Sequence, residues 1–111
     1  MAHPKFEGKT GKDGKFYFNL TAKNGQVILS SQGYASKSGV ENGVNSIKNN
    51  SSNAAAFHLE KTAKGSPYFI LKAANGEVVG RSEVYSSEDA AENGINSVKT
   101  NAPVAELEWQ E

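Results

Sequence analysis

Residues 6–50 recur as residues 57–101 at a constant offset of 51, and 19 of the 45 aligned positions are identical. A chain that repeats itself at this period must use one supersecondary unit twice, so the repeat limits the available architectures before any other feature is read. Phe6 falls on Phe57, Asn24-Gly25 on Asn75-Gly76, Tyr34 on Tyr85, and the segment 41–48 on 92–99. A unit of roughly fifty residues buries too little apolar surface to be stable without a disulfide or a metal. The chain has no cysteine. Two units sharing one core is therefore the expectation: a single domain over 1–111, with repeat one at 5–55 and repeat two at 56–109.

Charge separates the repeats but not the whole. Residues 1–50 carry seven Lys against three acids (+4), residues 51–111 five Lys/Arg against nine acids (−4), and the sum is zero. Opposite charge can help the halves dock, although drift after duplication accounts for it equally well. A neutral chain has no global attraction to nucleic acid or anionic membrane. Without cysteine, disulfides, thiolate chemistry and cysteine zinc sites are excluded. No apolar run follows Met1-Ala2-His3-Pro4-Lys5, and none elsewhere approaches the ~20 residues of a membrane span. The expectation is a soluble, cytoplasmic protein with no membrane partner.

Within each copy, strands come first and a helix follows. Phe16, Phe18, Leu20 and Ala22 alternate with Tyr17, Asn19 and Thr21, the period of a strand with one buried face. Asn24-Gly25 reads as a type I′ turn with positive φ at both residues, and this would set Ala22 opposite Val27 and Leu20 opposite Leu29. Asn75-Gly76 repeats it. Asp13-Gly14 and Lys64-Gly65 connect shorter strands at 5–9 and 56–61. Ser36 and Ser87 stand as N-caps. Val40, Val44 and Ile47, matched by Ala91, Ile95 and Val98, form one apolar stripe per helix. Gly43 and Gly94 beside the stripes predict close approach of helix to sheet. A last strand is expected at 104–109. Its counterpart, 53–58, runs directly into the second copy's opening strand, so one long strand over 54–61 would end the first copy and begin the second, although the inward parities of Ala56 and Phe57 conflict.

Leu71-Lys72-Ala73-Ala74-Asn75-Gly76-Glu77-Val78-Val79, Ser82-Glu83-Val84-Tyr85-Ser86-Ser87 and Ala91-Glu92-Asn93-Gly94-Ile95 resemble the YegP-like family of small bacterial tandem-repeat proteins. The first copy is the looser match. The resemblance implies two β3-α-β units in one antiparallel sheet with two helices on one face, the last strand of each unit being exchanged into the other. It implies no catalytic residues.

A search for chemistry finds little. His3 and His58 have no second ligand at zinc spacing, and His58 is matched by Glu7 in the other copy. Gly8, Gly11 and Gly14 lead into a strand, whereas a phosphate cradle needs a helix N-terminus. The stripe Glu41-Asn45-Lys48, repeated as Glu92-Asn96-Lys99, flanks each helix and gives it modest support, while Asn42 and Asn93 are candidates to hold a partner or to bond the loop. The uncovered sheet face would present Tyr17, Tyr68, Ile28, Ile70, Val79, Lys72 and Arg81. Aromatic residues beside cations on an open sheet stack bases in several single-strand binders, but exposed apolar patches more often meet proteins. The expected protein is an α+β domain and not an enzyme, a monomer without cofactor that acts as a binding or protein-interaction module. The alternative is a single-stranded nucleic-acid binder using Tyr17, Tyr68, Lys72 and Arg81.

Overall fold

The computed structural model describes residues 3–110. In chain order the elements are β1 (Lys5–Thr10), β2 (Phe16–Thr21), β3 (Val27–Ser30), α1 (Lys37–Asn50), β4 (Phe57–Lys61), β5 (Pro67–Lys72), β6 (Val78–Arg81), α2 (Glu88–Asn101) and β7 (Glu106–Trp109). They build one seven-stranded sheet in the order β4-β5-β6-β3-β2-β1-β7, under two helices. The sheet is mixed rather than antiparallel, because β7 joins β1 in parallel, Phe6 beside Leu107 and Gly8 beside Trp109. The cause lies in α2, which packs on β5 and reaches β3, while the 3₁₀ turn Ala102–Val104 after it packs on α1. The chain is thereby delivered over the first repeat, where β1 has a free edge. The last strand of repeat two is thus exchanged onto repeat one. Among the described residues, the exchange expected in the other direction is not there: α1 leads through a 3₁₀ turn into β4, which pairs only with β5 of its own repeat.

The hairpin turns differ from a type I′ pair. Only glycines have positive φ, Gly25 at 84° and Gly76 at 87°, and Asn24 and Asn75 do not. Gly25 N–H donates to the Ala22 carbonyl and Ala22 N–H to that of Gln26, the pattern of a type I turn closed by a left-handed glycine. Asn24 Oδ1 accepts from Gln26 N–H at 3.0 Å, and Asn75 does the same for Glu77. The loop therefore consumes one residue more than a type I′ turn, and Ala22 does not face Val27. Leu20 still pairs with Leu29, but Thr21 pairs with Val27, so Ile28 is the extra residue of a β-bulge. Val79 is its equivalent in the second repeat, between Val78 and Gly80. The bulges overturn the expectation that Ile28 and Val79 lie on the open face: both are buried, at 5% and 6% exposure.

Residues 54–61 do not form one continuous strand. Ala54–Ala56 is a 3₁₀ turn and β4 starts at Phe57, so Ala56 and Phe57 can both turn inward despite being neighbours. The helices begin as their serines require: Ser36 Oγ accepts from Gly39 N–H and Ser87 Oγ from Ala90 N–H, each at 3.1 Å. Gly43 does mark a close approach, though the intruder is a side chain. The Tyr34 ring stacks on Phe18 and fills the gap beneath the helix, its hydroxyl 2.5 Å from where a Gly43 Cβ would stand. Tyr85 stacks on Phe69 beneath Gly94 in the same way.

One core runs through both repeats, with Phe6, Phe18, Leu20, Leu29, Val40, Ile47, Phe69, Leu71 and Val98 fully buried. At its centre the copies must differ. β3 and β6 meet at a single pair, Ser30 beside Arg81, whose numbers also differ by 51. The pseudo-twofold axis therefore passes between them. Next to it stand Leu29 and its equivalent Gly80, and a Cβ on Gly80 would lie 2.6 Å from Leu29 Cδ2. Two side chains related by the axis would claim the same space, so one copy carries leucine and the other none.

Candidate binding surfaces

β5 alternates strictly. Pro67, Phe69 and Leu71 are buried under the helices, while Tyr68, Ile70 and Lys72 are half-buried on the opposite, helix-free face. Ile70 pairs with Arg81 of β6. From there the exposed Arg81 guanidinium lies over the Tyr68 ring, 4.5 Å from its centroid. Four of the seven expected face residues, Tyr68, Ile70, Lys72 and Arg81, thus form one patch. Tyr17 is not part of it. Its strand, β2, is separated from β5 by β3 and β6, about 14 Å at the usual strand spacing.

Tyr17 is also occupied. Its hydroxyl donates to Asp13 Oδ2 at 2.7 Å, and its ring lies against Gly11 and Gly33. That bond, with one from Lys15 N–H to Oδ1, holds the Asp13 carboxyl below its ordinary range and pushes the Tyr17 phenol up. Asp13 is matched by Lys64 and Arg81 by Ser30, so the two tyrosines acquired different partners from equivalent positions.

Between the repeats lies a crevice of about 570 Å³ that the sequence reading missed. Gln26, Val27, Ser30 and Ser31 line one side, and Val78, Arg81, Ser82 and Glu83 the other. Ser31 and Ser82 follow the two strands at this point. Ser31 Oγ accepts from Phe18 N–H and donates to the Gln32 carbonyl, and Ser82 Oγ does the same with Phe69 and Glu83. Each hydroxyl replaces a ladder partner within its own repeat, and across the seam β3 and β6 pair only at Ser30 and Arg81. The identity of Ser31 and Ser82 under the 51-residue offset was the available signal.

The repeated polar stripe is placed as well. Glu41, Val44, Asn45 and Lys48 form a groove of about 340 Å³ whose opposite wall is Glu106 and Leu107 of β7. Glu92, Ile95, Asn96 and Lys99 form its counterpart, about 300 Å³, against Phe57 and Leu59 of β4. Asn42 and Asn93 are exposed. His3 Nε2 lies 3.0 Å from Glu108 Oε2, and His58, on β4, borders a third crevice with Asn53 and Lys72. Among the described residues no three His, Asp or Glu side chains gather as a metal site, and no helix is long and apolar enough to cross a membrane.

Comparison with known proteins places this geometry. A domain of unknown function, DUF1508, matches twice, at 12–57 and 63–108, which are again 51 residues apart. The chain is 50% identical over 101 residues to UPF0339 protein YegP of Yersinia pestis, covering 91% of this chain and 90% of that one. It is also 50% identical over 102 residues to UPF0339 protein MS1092 of Mannheimia succiniciproducens, covering 92% and 90%. The solution structure of yegP from E. coli superposes with a TM-score of 0.93 at 34% identity, over 99% of this chain and 95% of that one. That of UPF0339 protein SO3888 from Shewanella oneidensis gives 0.91 at 39% identity, over 98% and 92%. Two tandem copies of one domain, a shared sheet and this degree of identity have one reading: the chain belongs to the YegP-like UPF0339 family.

Proposed function

We propose that the protein is a non-catalytic binding module that recognises another protein through the helix-free face of its sheet around Arg81. The observation that carries this reading is the Arg81 guanidinium held over Tyr68, beside Ile70 and Lys72 and at the mouth of the seam crevice. A planar cation fixed on an aromatic ring, with an aliphatic neighbour, is the composition favoured at protein contacts. The triple variant Tyr68→Ala/Ile70→Ser/Arg81→Ala tests it by affinity capture from cell extract, with circular dichroism confirming the fold. Loss of the captured partner supports the face, and unchanged recovery refutes it.

A second reading draws on the same pair, because a guanidinium lying flat offers a surface on which a nucleic-acid base can stack. Fluorescence titration with short RNA and DNA oligomers at low and high salt separates the two. Absence of binding at low salt ends the nucleic-acid reading.

A further inference from the structure

β1 and β4 are the same strand of the repeat, yet only one of them is covered. In β2, Phe16 bonds Tyr34, and the Phe18 carbonyl accepts from Ser31 N–H. Tyr17 and Asn19 therefore turn their backbone groups to β1, where they meet Lys9 and Glu7. Alternation leaves Phe6 and Gly8 facing β7, and Gln110 N–H donates to the Gly8 carbonyl at 2.7 Å. The second repeat follows the same pattern: the Pro67 and Phe69 carbonyls accept from Tyr85 and Ser82, so Tyr68 and Ile70 serve Glu60 and His58. The N–H and C=O groups of Phe57, Leu59 and Lys61 consequently line an outer edge that pairs with no strand among the described residues.

The helix flank beside each edge is the same wall, Glu-Val-Asn-Lys on α1 and Glu-Ile-Asn-Lys on α2. Where β7 lies against it, Phe6 is 0% and Val44 5% exposed. Where no strand does, Phe57 and Ile95 are only half-buried and Leu59 is 41% exposed.

We infer that the β4 edge and the α2 flank form a docking slot for an extended segment of another protein, added as an eighth strand parallel to β4. The molecule holds the template for this occupant in β7 on β1. Strand addition draws affinity from the backbone ladder and selectivity from alternate side chains. The inward residue opposite Phe57 takes the place of Leu107 and is aliphatic. The inward residue two positions on is small. In the first repeat Gly8 leaves room for the Trp109 indole, which would lie 2.8 Å from a Cβ there, but Leu59 fills the equivalent space. The outward residue between them lies opposite His58, on the face that carries Glu60 and Lys72. An ion pair between Lys61 and Glu88, 3.2 Å apart, closes the far end. The inference rests on the binding-module reading but uses another surface, so the outer-face triple variant leaves it intact.

The probe is the peptide Ala-Pro-Val-Ala-Glu-Leu-Glu-Ala-Gln, residues 102–110 with Trp109→Ala, titrated into the ¹⁵N-labelled full chain. The expected result is saturable shifts of the Phe57, Leu59, Lys61 and Ile95 amides. At least tenfold weaker binding is expected for Leu59→Pro, for Ile95→Lys on the open flank of α2, and for a peptide carrying Leu107→Lys. Ile95→Lys keeps the test valid if Leu59→Pro does not fold. Shifts confined to Phe6 and Gly8, no shifts at about 1 mM peptide, or a peptide-independent dimer through β4 in sedimentation would each overturn the inference.

Discussion

Leu29 and Gly80 illustrate the strictest constraint at the residue scale, because a pseudo-twofold axis forbids equivalent bulky side chains beside it. Leu29→Gly alone opens a central cavity and Gly80→Leu alone overpacks the seam, costing about 3–5 and about 1–3 kcal/mol respectively. The swap of both moves one side chain across the axis. It should be less destabilised than the sum of the two single losses by about 1–3 kcal/mol in urea denaturation, a coupling typical of residues in contact. The stacked tyrosines carry a pH dependence. Burial, with smaller contributions from Glu77 and Glu83, pushes the Tyr34 and Tyr85 phenols above their ordinary value of 10.0. The folded state then holds protons that the unfolded state releases above that pH, so stability is intact below pH 10 and falls as pH rises beyond it. Melting curves on the alkaline side should show a shallower decline for Tyr34→Phe/Tyr85→Phe than for the native chain.

At the scale of elements, β7 is the piece on which the first repeat depends. Trp109 meets Phe16 edge-on with ring centroids 6.2 Å apart, and the Lys37 ammonium lies 4.9 Å over its ring. Glu108 adds contacts to His3 and Lys5 on the other face, so an acid from the negative half meets bases from the positive half. These contacts are exposed and worth little. The indole is the anchor. Trp109→Ala should cost about 2–3 kcal/mol, below the range for a fully buried aromatic because Trp109 is only half-buried. Trp109 is the only tryptophan, so a red shift of its emission ahead of global unfolding would report β7 leaving β1. Coincidence of that shift with the loss of circular dichroism would show that β7 and the rest of the sheet unfold together.

At the scale of the whole molecule, the repeats interpenetrate. α1 reaches β6 and α2 reaches β3 across the seam, and β7 crosses to β1. The Cα radius of gyration is 13.3 Å, against about 13 Å expected of a compact domain of this length. Separating the copies at Ser52 would strip Phe6 of its covering strand and expose both sides of the Leu29–Gly80 contact. Each fragment, expressed alone, should show no protected amides in hydrogen exchange, and mixing them should restore protection. A fragment that is ordered by itself would contradict a shared core.

The elements were legible in the chain because their causes are local. Period-2 alternation marked β2 and β5, serines three residues before their N–H partners marked the helix starts, and the 51-residue offset announced two equal units. The patch of Tyr68, Ile70, Lys72 and Arg81 was legible for the same reason, since parity along β5 depends on β5 alone. What the chain did not disclose depends on neighbours distant in sequence. The bulges that bury Ile28 and Val79 return a residue that the turn consumed, and the seam crevice opens where β3 and β6 part beyond their single pair. The parallel seat of β7 and the uncovered edge of β4 follow from where α2 delivers the chain. Hydrophobic periodicity states which side of an element seeks cover, but only the packed molecule decides which other element provides it.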